Sequence, residues 1–338
     1  MTEAPARKTV ALVAALAAAL AFPARGGAAQ AAGGLDSAEV APRHARAGGG
    51  LVLTLPASAR ALGAADATAA ASPDEWALFA APAQLAGLGA VAAGVATEAY
   101  LASTRLSAAA VAIPALGGTV GVGATVLDYG SIEEVASSMP GVDGSLTGRR
   151  YSAQESAVLL GYGRTIATRL RVGAALELLS TRVADLTASA VAGSASLGWT
   201  ASSGWAVAAG LSHAGRDVVL GLTRGALPLT ESATIVAPAL RARGWALHPM
   251  LDARNVRGAG WSASGAVEAE WFRNGKGLTL RSGYTWRGYA NDRWPVSLGF
   301  GAALGRIAFD YAAERFPTIG QLTHRVGIRY ARAVSSPP

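Results

Sequence analysis

Along much of the chain, apolar residues alternate one by one with small or polar ones. Val120, Val122, Ala124 and Val126 alternate with Gly121, Gly123 and Thr125, and Trp205, Val207, Ala209 and Leu211 alternate with Ala206, Ala208, Gly210 and Ser212. A period of two sends successive side chains to opposite faces of a β-strand. The contrast sharpens toward the C-terminus. Leu278, Leu280, Ser282, Tyr284 and Trp286 oppose Thr279, Arg281, Gly283, Thr285 and Arg287, while Leu322, Val326, Ile328 and Tyr330 oppose Thr323, Arg325, Gly327 and Arg329. One face suits hydrocarbon and the other must meet water or partners. This pattern predicts strands at residues 91–101, 104–114, 118–129, 153–163, 168–182, 188–200, 204–213, 231–241, 243–254, 260–272, 277–287, 294–304, 306–315 and 321–331. Such a set, about fourteen segments of roughly ten residues, is what a spanning barrel requires.

Hydropathy offers a rival reading. Residues 77–97, 106–127 and 186–212 carry no charge and are long enough to nominate transmembrane helices. The second is broken by Pro114 and Gly117-Gly118 and the third by Ser202-Ser203-Gly204, which divides them at strand length. Connection lengths point the same way, because spanning barrels have long loops outside and short turns inside. Long connections are expected at residues 130–152, 214–230, 288–293 and 316–320, all after odd-numbered strands, and short ones at Ala242, Asn274-Gly275 and Leu304-Gly305 after even-numbered strands. The first strand should then rise from the periplasm, with both barrel ends on that side.

Lipid supplies no hydrogen-bond partners, so a spanning sheet must close on itself. Trp199, Trp205, Trp261, Trp271, Tyr284, Trp286 and Trp294 fall near segment ends, where amphipathic rings match the headgroup level. A soluble sandwich with buried aromatics is the alternative. A barrel of this strand number has a lumen wider than its own side chains fill. Residues 53–88, with Pro56, Pro73 and Pro82 and only Arg60, Asp66, Asp74 and Glu75 charged, are the candidate filling; a periplasmic extension is the other reading of them.

Composition supports the membrane reading: 15% of residues are charged, against about 25% in soluble domains. The net charge of +7 raises the question of nucleic-acid binding, but the arginines are dispersed singly, so no nucleic-acid partner is expected. Absence of Cys excludes disulfides and thiolate metal sites. Arg7 and Lys8, the apolar residues 9–22 and the small Gly27-Ala28-Ala29 form the pattern of a cleavable export signal. The expected organisation is a signal peptide over 1–29, a flexible leader over 30–50, a hatch or plug over 51–90, a barrel over 91–332 and a periplasmic tail over 333–338. The fold class is all-β, a transmembrane antiparallel barrel of about fourteen strands with an N-terminal plug, located in the outer membrane.

The run Ser58-Ala59-Arg60-Ala61-Leu62-Gly63-Ala64-Ala65-Asp66-Ala67, followed by Ala81-Pro82-Ala83-Gln84-Leu85, resembles the N-terminal signature of PorV/PorQ-type outer-membrane proteins, relatives of the FadL barrels. Asp310-Tyr311-Ala312 and Gly320-Gln321-Leu322-Thr323-His324-Arg325-Val326 are similar to that family's closing strands. The chain departs from the pattern at Ala81 and Gln84, where the family has Asn and Gly, and lacks a Trp just before Ala81. The resemblance spans residues 51–332 and implies a fourteen-stranded barrel with an N-terminal hatch, with Arg60, Leu62, Gly63, Asp66, Pro82 and Leu85 as hatch residues.

Enzyme chemistry has little to stand on. His44, His213, His248 and His324 lie far from other metal ligands in sequence, and Gly260-Trp261-Ser262-Ala263-Ser264 lacks the final glycine of a nucleophile elbow. Neither a cofactor nor an enzymatic activity is expected. The candidate lumen or plug-contact residues are Arg171, Glu177, Asp252, Arg254, Glu268, Glu270, Arg281, Asp310, Glu314, Arg325 and Arg329. Their mixed signs suit plug binding better than a selectivity filter of one sign. Besides outer-membrane lipid, the expected partners follow from two functions. By resemblance, the chain is an accessory or scaffold in outer-membrane transport or secretion, bound to envelope proteins. The alternative is a FadL-like passive channel for hydrophobic small molecules.

Overall fold

The computed structural model describes residues 49–71, 73–101, 104–136, 145–288 and 293–331. The expected signal peptide and tail, and all of the leader but Gly49 and Gly50, lie outside the described residues. Among the described residues, seventeen strands are formed: β1 (Ala92–Ala99), β2 (Arg105–Ala115), β3 (Gly118–Ala136), β4 (Ser145–Ala167), β5 (Leu170–Val183), β6 (Leu186–Thr200), β7 (Ala206–Gly215), β8 (Val218–Leu220), β9 (Thr223–Gly225), β10 (Thr230–Val236), β11 (Leu240–Ala242), β12 (Trp245–Val256), β13 (Gly260–Arg273), β14 (Lys276–Arg287), β15 (Val296–Leu304), β16 (Ile307–Phe316) and β17 (Gln321–Ala331). Strands β1 to β7, β10 and β12 to β17 pair antiparallel with their neighbours. The pairings of β1 with β17 and of β10 with β12 close them into a fourteen-stranded barrel. Each of the fourteen expected segments overlaps one barrel strand.

The longest connections fall on one rim, together with the short turns at 184–185 and 257–259, and both ends of the barrel sheet, Ala92 and Ala331, lie side by side on the opposite, short-turn rim. Three of the short turns put consecutive residues at positive φ, Leu116-Gly117 (56° and 72°), Arg243-Gly244 (51° and 85°) and Asn274-Gly275 (52° and 73°). This is the two-residue hairpin geometry whose twist matches that of the strands.

Three expectations need correction. The loop expected over 130–152 is largely sheet: beyond a bulge at Gly130 (φ 72°), Ile132 pairs with Tyr151 and Glu133 with Arg150, and the Arg150 guanidinium sits 3.1 Å from the Glu133 carboxylate. Both faces of this ribbon are largely exposed, so the two-faced pattern that marks a wall strand is lost there. The strand expected over 231–241, with a turn at Ala242, is interrupted. The register passes from Val236 opposite Met250 to Leu240 opposite Leu247, a slip of one residue. Pro238 has no N–H to give the ladder, and the turn itself is Arg243-Gly244, with φ of 51° and 85°. The loop expected over 214–230 contains the β8–β9 hairpin.

The outer face of the wall is apolar, with Val95, Val122, Leu160, Leu176, Val191, Leu251, Leu280, Leu298 and Ile328 all exposed. Trp199, Trp205, Trp245 and Trp271 ring the short-turn rim, while Trp261, Trp286 and Trp294 ring the opposite one. The Arg315 guanidinium lies 5.0 Å from the Trp294 ring centre. Two aromatic girdles bounding an apolar band are the outward signature of a membrane-spanning barrel.

Residues 49–71 and 73–88 run inside the wall from the long-loop rim to the short-turn rim. A single turn at Leu51–Leu53 leads to helix α1 (Ala59–Gly63), helix α2 (Ala77–Ala80) and a last turn at Pro82–Gly87. The Ser58 hydroxyl caps α1 by accepting the Ala61 N–H at 3.0 Å. Gly49 and Gly50, read in the sequence as the end of a flexible leader, pack instead against Val218 and Leu179. The segment fits closely because the inner wall lacks side chains where the segment's backbone arrives. A Cβ on Gly173 would stand 2.6 Å from the Ala83 Cα, and one on Gly283 would stand 2.6 Å from the Ala65 Cβ. Gly173→Val should therefore displace residues 82–87 without opening the barrel. Hydrogen exchange of that stretch should rise while heat-dependent gel migration persists, and Gly193→Ala, where a Cβ meets only the Ala175 carbonyl at 3.7 Å, should do neither.

Candidate functional site

Strands β13, β14, β16 and β17 each point a charged residue into the lumen at one level, and α1 brings Arg60 among them. Arg60 donates from Nε and Nη2 to Glu268, at 3.0 and 2.7 Å, and from Nη1 to Asp74 at 2.8 Å. Arg281 bridges Glu268 at 2.6 Å and Asp310 at 2.7 Å, and Arg329 holds Asp310 at 2.6 Å and approaches Asp74 at 3.8 Å. Burial alone would lower the Arg60 pKa, but Glu268 and then Asp74 outweigh it and hold it well above its ordinary value. Leu62 and Gly63 sit beneath this network, with Gly63 against the Gly299 backbone and Ala312.

Glu75 is also buried, yet neither of its carboxylate oxygens has a hydrogen-bond partner among the described residues. Burial, and next the Asp74 carboxylate, raise its pKa to about 7. The cost of charging it falls on the folded state.

A second set of contacts lines the rest of the wall. Arg325 donates to Glu98 and to the Pro56 carbonyl; Arg254 joins Asp252 at 2.9 Å to Asp66 at 3.2 Å; and Arg171 donates to Gln84 at 2.7 Å. Pro82 and Leu85 pack on Gly163. Glu314 faces Arg293 at 3.6 Å. Like Glu314, two further candidates face groups outside the inner segment: Glu270 lies 3.5 Å from His248 near the short-turn rim, and Glu177 is bound by Ser194 and His213 within the wall. The strand period identified the inward carboxylates and arginines. It missed Glu98, on the faintly patterned β1, and His213.

Above the segment, toward the long loops, is a cavity of about 510 Å³. Leu51, Leu53, Leu55, Trp76 and Phe79 line it from within, and Thr125, Leu159, Ser212, His213, Ser264 and Thr285 from the wall. Its size suits one small organic molecule, and its lining combines apolar side chains and hydroxyls with the charged Asp66, Asp74, Arg254, Arg287, Arg293 and Glu314.

No protein-family model matches the chain, and no curated protein matches it in sequence. Solved structures match it in shape. The toluene transporter TbuX of Ralstonia pickettii superposes with a TM-score of 0.55 at 12% identity, over 82% of this chain and 98% of that one. A Pseudomonas aeruginosa FadL homologue gives 0.55 at 10% identity over 81% and 98%, and the Pseudomonas putida toluene transporter TodX gives 0.52 at 12% over 83% and 98%. The fold is that of the FadL-type barrels.

Two outcomes follow from the charge network. Glu268→Ala leaves Arg60 and Arg281 without their shared anion and should lower stability by about 3–5 kcal/mol, read as a drop in the thermal transition in detergent. Because Glu75 binds its proton more tightly folded than unfolded (about 7 against 4.5), its contribution to stability is fully present below the lower value and is lost as pH rises through the higher one. Wild-type stability should fall between pH 5 and pH 8 relative to Glu75→Gln, by on the order of 3 kcal/mol.

Proposed function

We propose that this chain is an outer-membrane channel for hydrophobic small molecules, at rest with its lumen plugged by residues 49–88. The observation that carries this reading is the cavity of about 510 Å³ between that segment and the wall, above a short-turn end filled by Pro82–Gly87 against Gly163 and Gly173. A solute entering from the long-loop side has a resting place with apolar surface from Leu53, Leu55, Trp76, Phe79 and Leu159, and no straight exit. Passage then requires the segment to shift, and its buried ion pairs set the energy of that shift. The structural neighbours described as toluene transporters support the same substrate class. The outward apolar band and the export signal read from residues 1–29 support the location.

The accessory role in secretion implied by the PorV/PorQ resemblance is the second reading, favoured by the order of the sequence motifs alone. The two part in an uptake measurement. Cells lacking the chain should take up toluene several-fold more slowly, with uptake restored by the full chain. Unchanged uptake, together with copurification of envelope proteins, would favour the scaffold.

A further inference from the structure

The wall carries a second polar cluster, apart from the charge network, on strands β5 to β7. Glu177 is fully buried; the Ser194 hydroxyl donates to one of its oxygens, and Nδ1 of His213 lies 2.7 Å from the other. The His213 backbone N–H in turn donates to Ser194 Oγ at 3.2 Å. This is not a nucleophile relay, because the serine proton goes to the carboxylate and not to the imidazole.

The cluster is built by a β-bulge. The register between β6 and β7 slips from Gly193 opposite Ala214 to Ala195 opposite Leu211, so that Ser212 and His213 share the place opposite Ser194. His213 adopts a φ of 61°, a left-handed backbone that costs a non-glycine residue of order 1 kcal/mol or more. The result of that strain is to place the imidazole on the cavity wall. With Nδ1 engaged by Glu177, Nε2 is the ring nitrogen left to meet the cavity, and in the tautomer that carries its proton on Nδ1 it is an acceptor. Among the described residues Nε2 has no partner, although the side chain is more than nine-tenths buried. Around the same cavity, Leu159, directly opposite Glu177 in the β4–β5 register, and Leu53 supply apolar surface.

We infer that His213 is the head-group site of the cavity, and that the ligand is an apolar molecule bearing one hydroxyl donor, a phenol in preference to a plain hydrocarbon. The inference rests on the channel reading and sharpens it. A phenolic O–H donating to Nε2 satisfies the one unpaired polar atom of the cluster, and the ring and its alkyl substituent occupy the space between Leu53 and Leu159.

Isothermal titration of the purified full chain with 4-ethylphenol, and with 4-ethyltoluene, in which a methyl replaces the hydroxyl, tests this. His213→Gly keeps the left-handed backbone without strain and removes the acceptor. It should lower the ratio of 4-ethylphenol to 4-ethyltoluene affinity by about tenfold, the loss of one buried hydrogen bond. His213→Asn, which tolerates the same backbone and keeps an acceptor oxygen, should retain part of the preference. Heat-dependent gel migration verifies that each variant is folded. An unchanged ratio in His213→Gly overturns the head-group site and leaves the channel reading standing. Failure of the wild type to bind either compound overturns both.

Discussion

A sheet surrounded by hydrocarbon must satisfy every backbone N–H and C=O within itself, and here that requirement is met by two seams: β1 against β17 and β10 against β12. Closure has a consequence for the interior. Once the wall is a ring of fourteen strands with alternate side chains pointing inward, the lumen is too wide for those side chains to fill, and the inward carboxylates and guanidiniums need partners of opposite charge. The inner segment supplies both volume and countercharge. Arg60 completes the coordination of Glu268, Asp66 that of Arg254, and the Pro56 carbonyl that of Arg325.

The contacts divide into two kinds that do different jobs. Buried ion pairs add little net stability over a well-packed apolar core, but breaking one is costly. They therefore favour a single seating of the segment over nearby alternatives. The glycine-lined wall does the complementary work of shape, since Gly163, Gly173, Gly283 and Gly299 let backbone approach backbone. Glu75 stands outside both arrangements. It is buried beside the network without a hydrogen-bond partner among the described residues, and its charge changes near neutrality.

Most of the wall was legible in the sequence because a strand between oil and water must alternate, and Leu278 to Arg287 or Leu322 to Tyr330 can be read residue by residue. Legibility ended where that constraint ended. The upper parts of β3 and β4 meet solvent on both faces, so nothing in residues 131–136 or 145–152 marks them as paired. The break after Val236 depends on Pro238 meeting a particular partner strand. Of the site, Arg60, Glu268, Arg281, Asp310, Arg325 and Arg329 were named from strand period and motif, since a charge on the inward face of a wall strand demands water or a countercharge beside it. Glu98 escaped because β1 is mostly Ala and Gly, which blurs its period. His213 escaped for a stronger reason: its direction is set by a bulge, and a bulge is a property of two strands in register, which neither strand's sequence states alone.

The route of the inner segment has a mechanical corollary. Its first half is anchored to β13, β14 and β17 through Arg60, Ala65 and Pro56, and its second half to β3 to β6 through Leu78, Ala83 and Gln84. It thus spans the bore as a strut that ties opposite walls together. Strand number and stagger fix the perimeter of a closed sheet but not the outline of its cross-section, so displacement of the segment would free the bore to change shape as well as clear the obstruction within it.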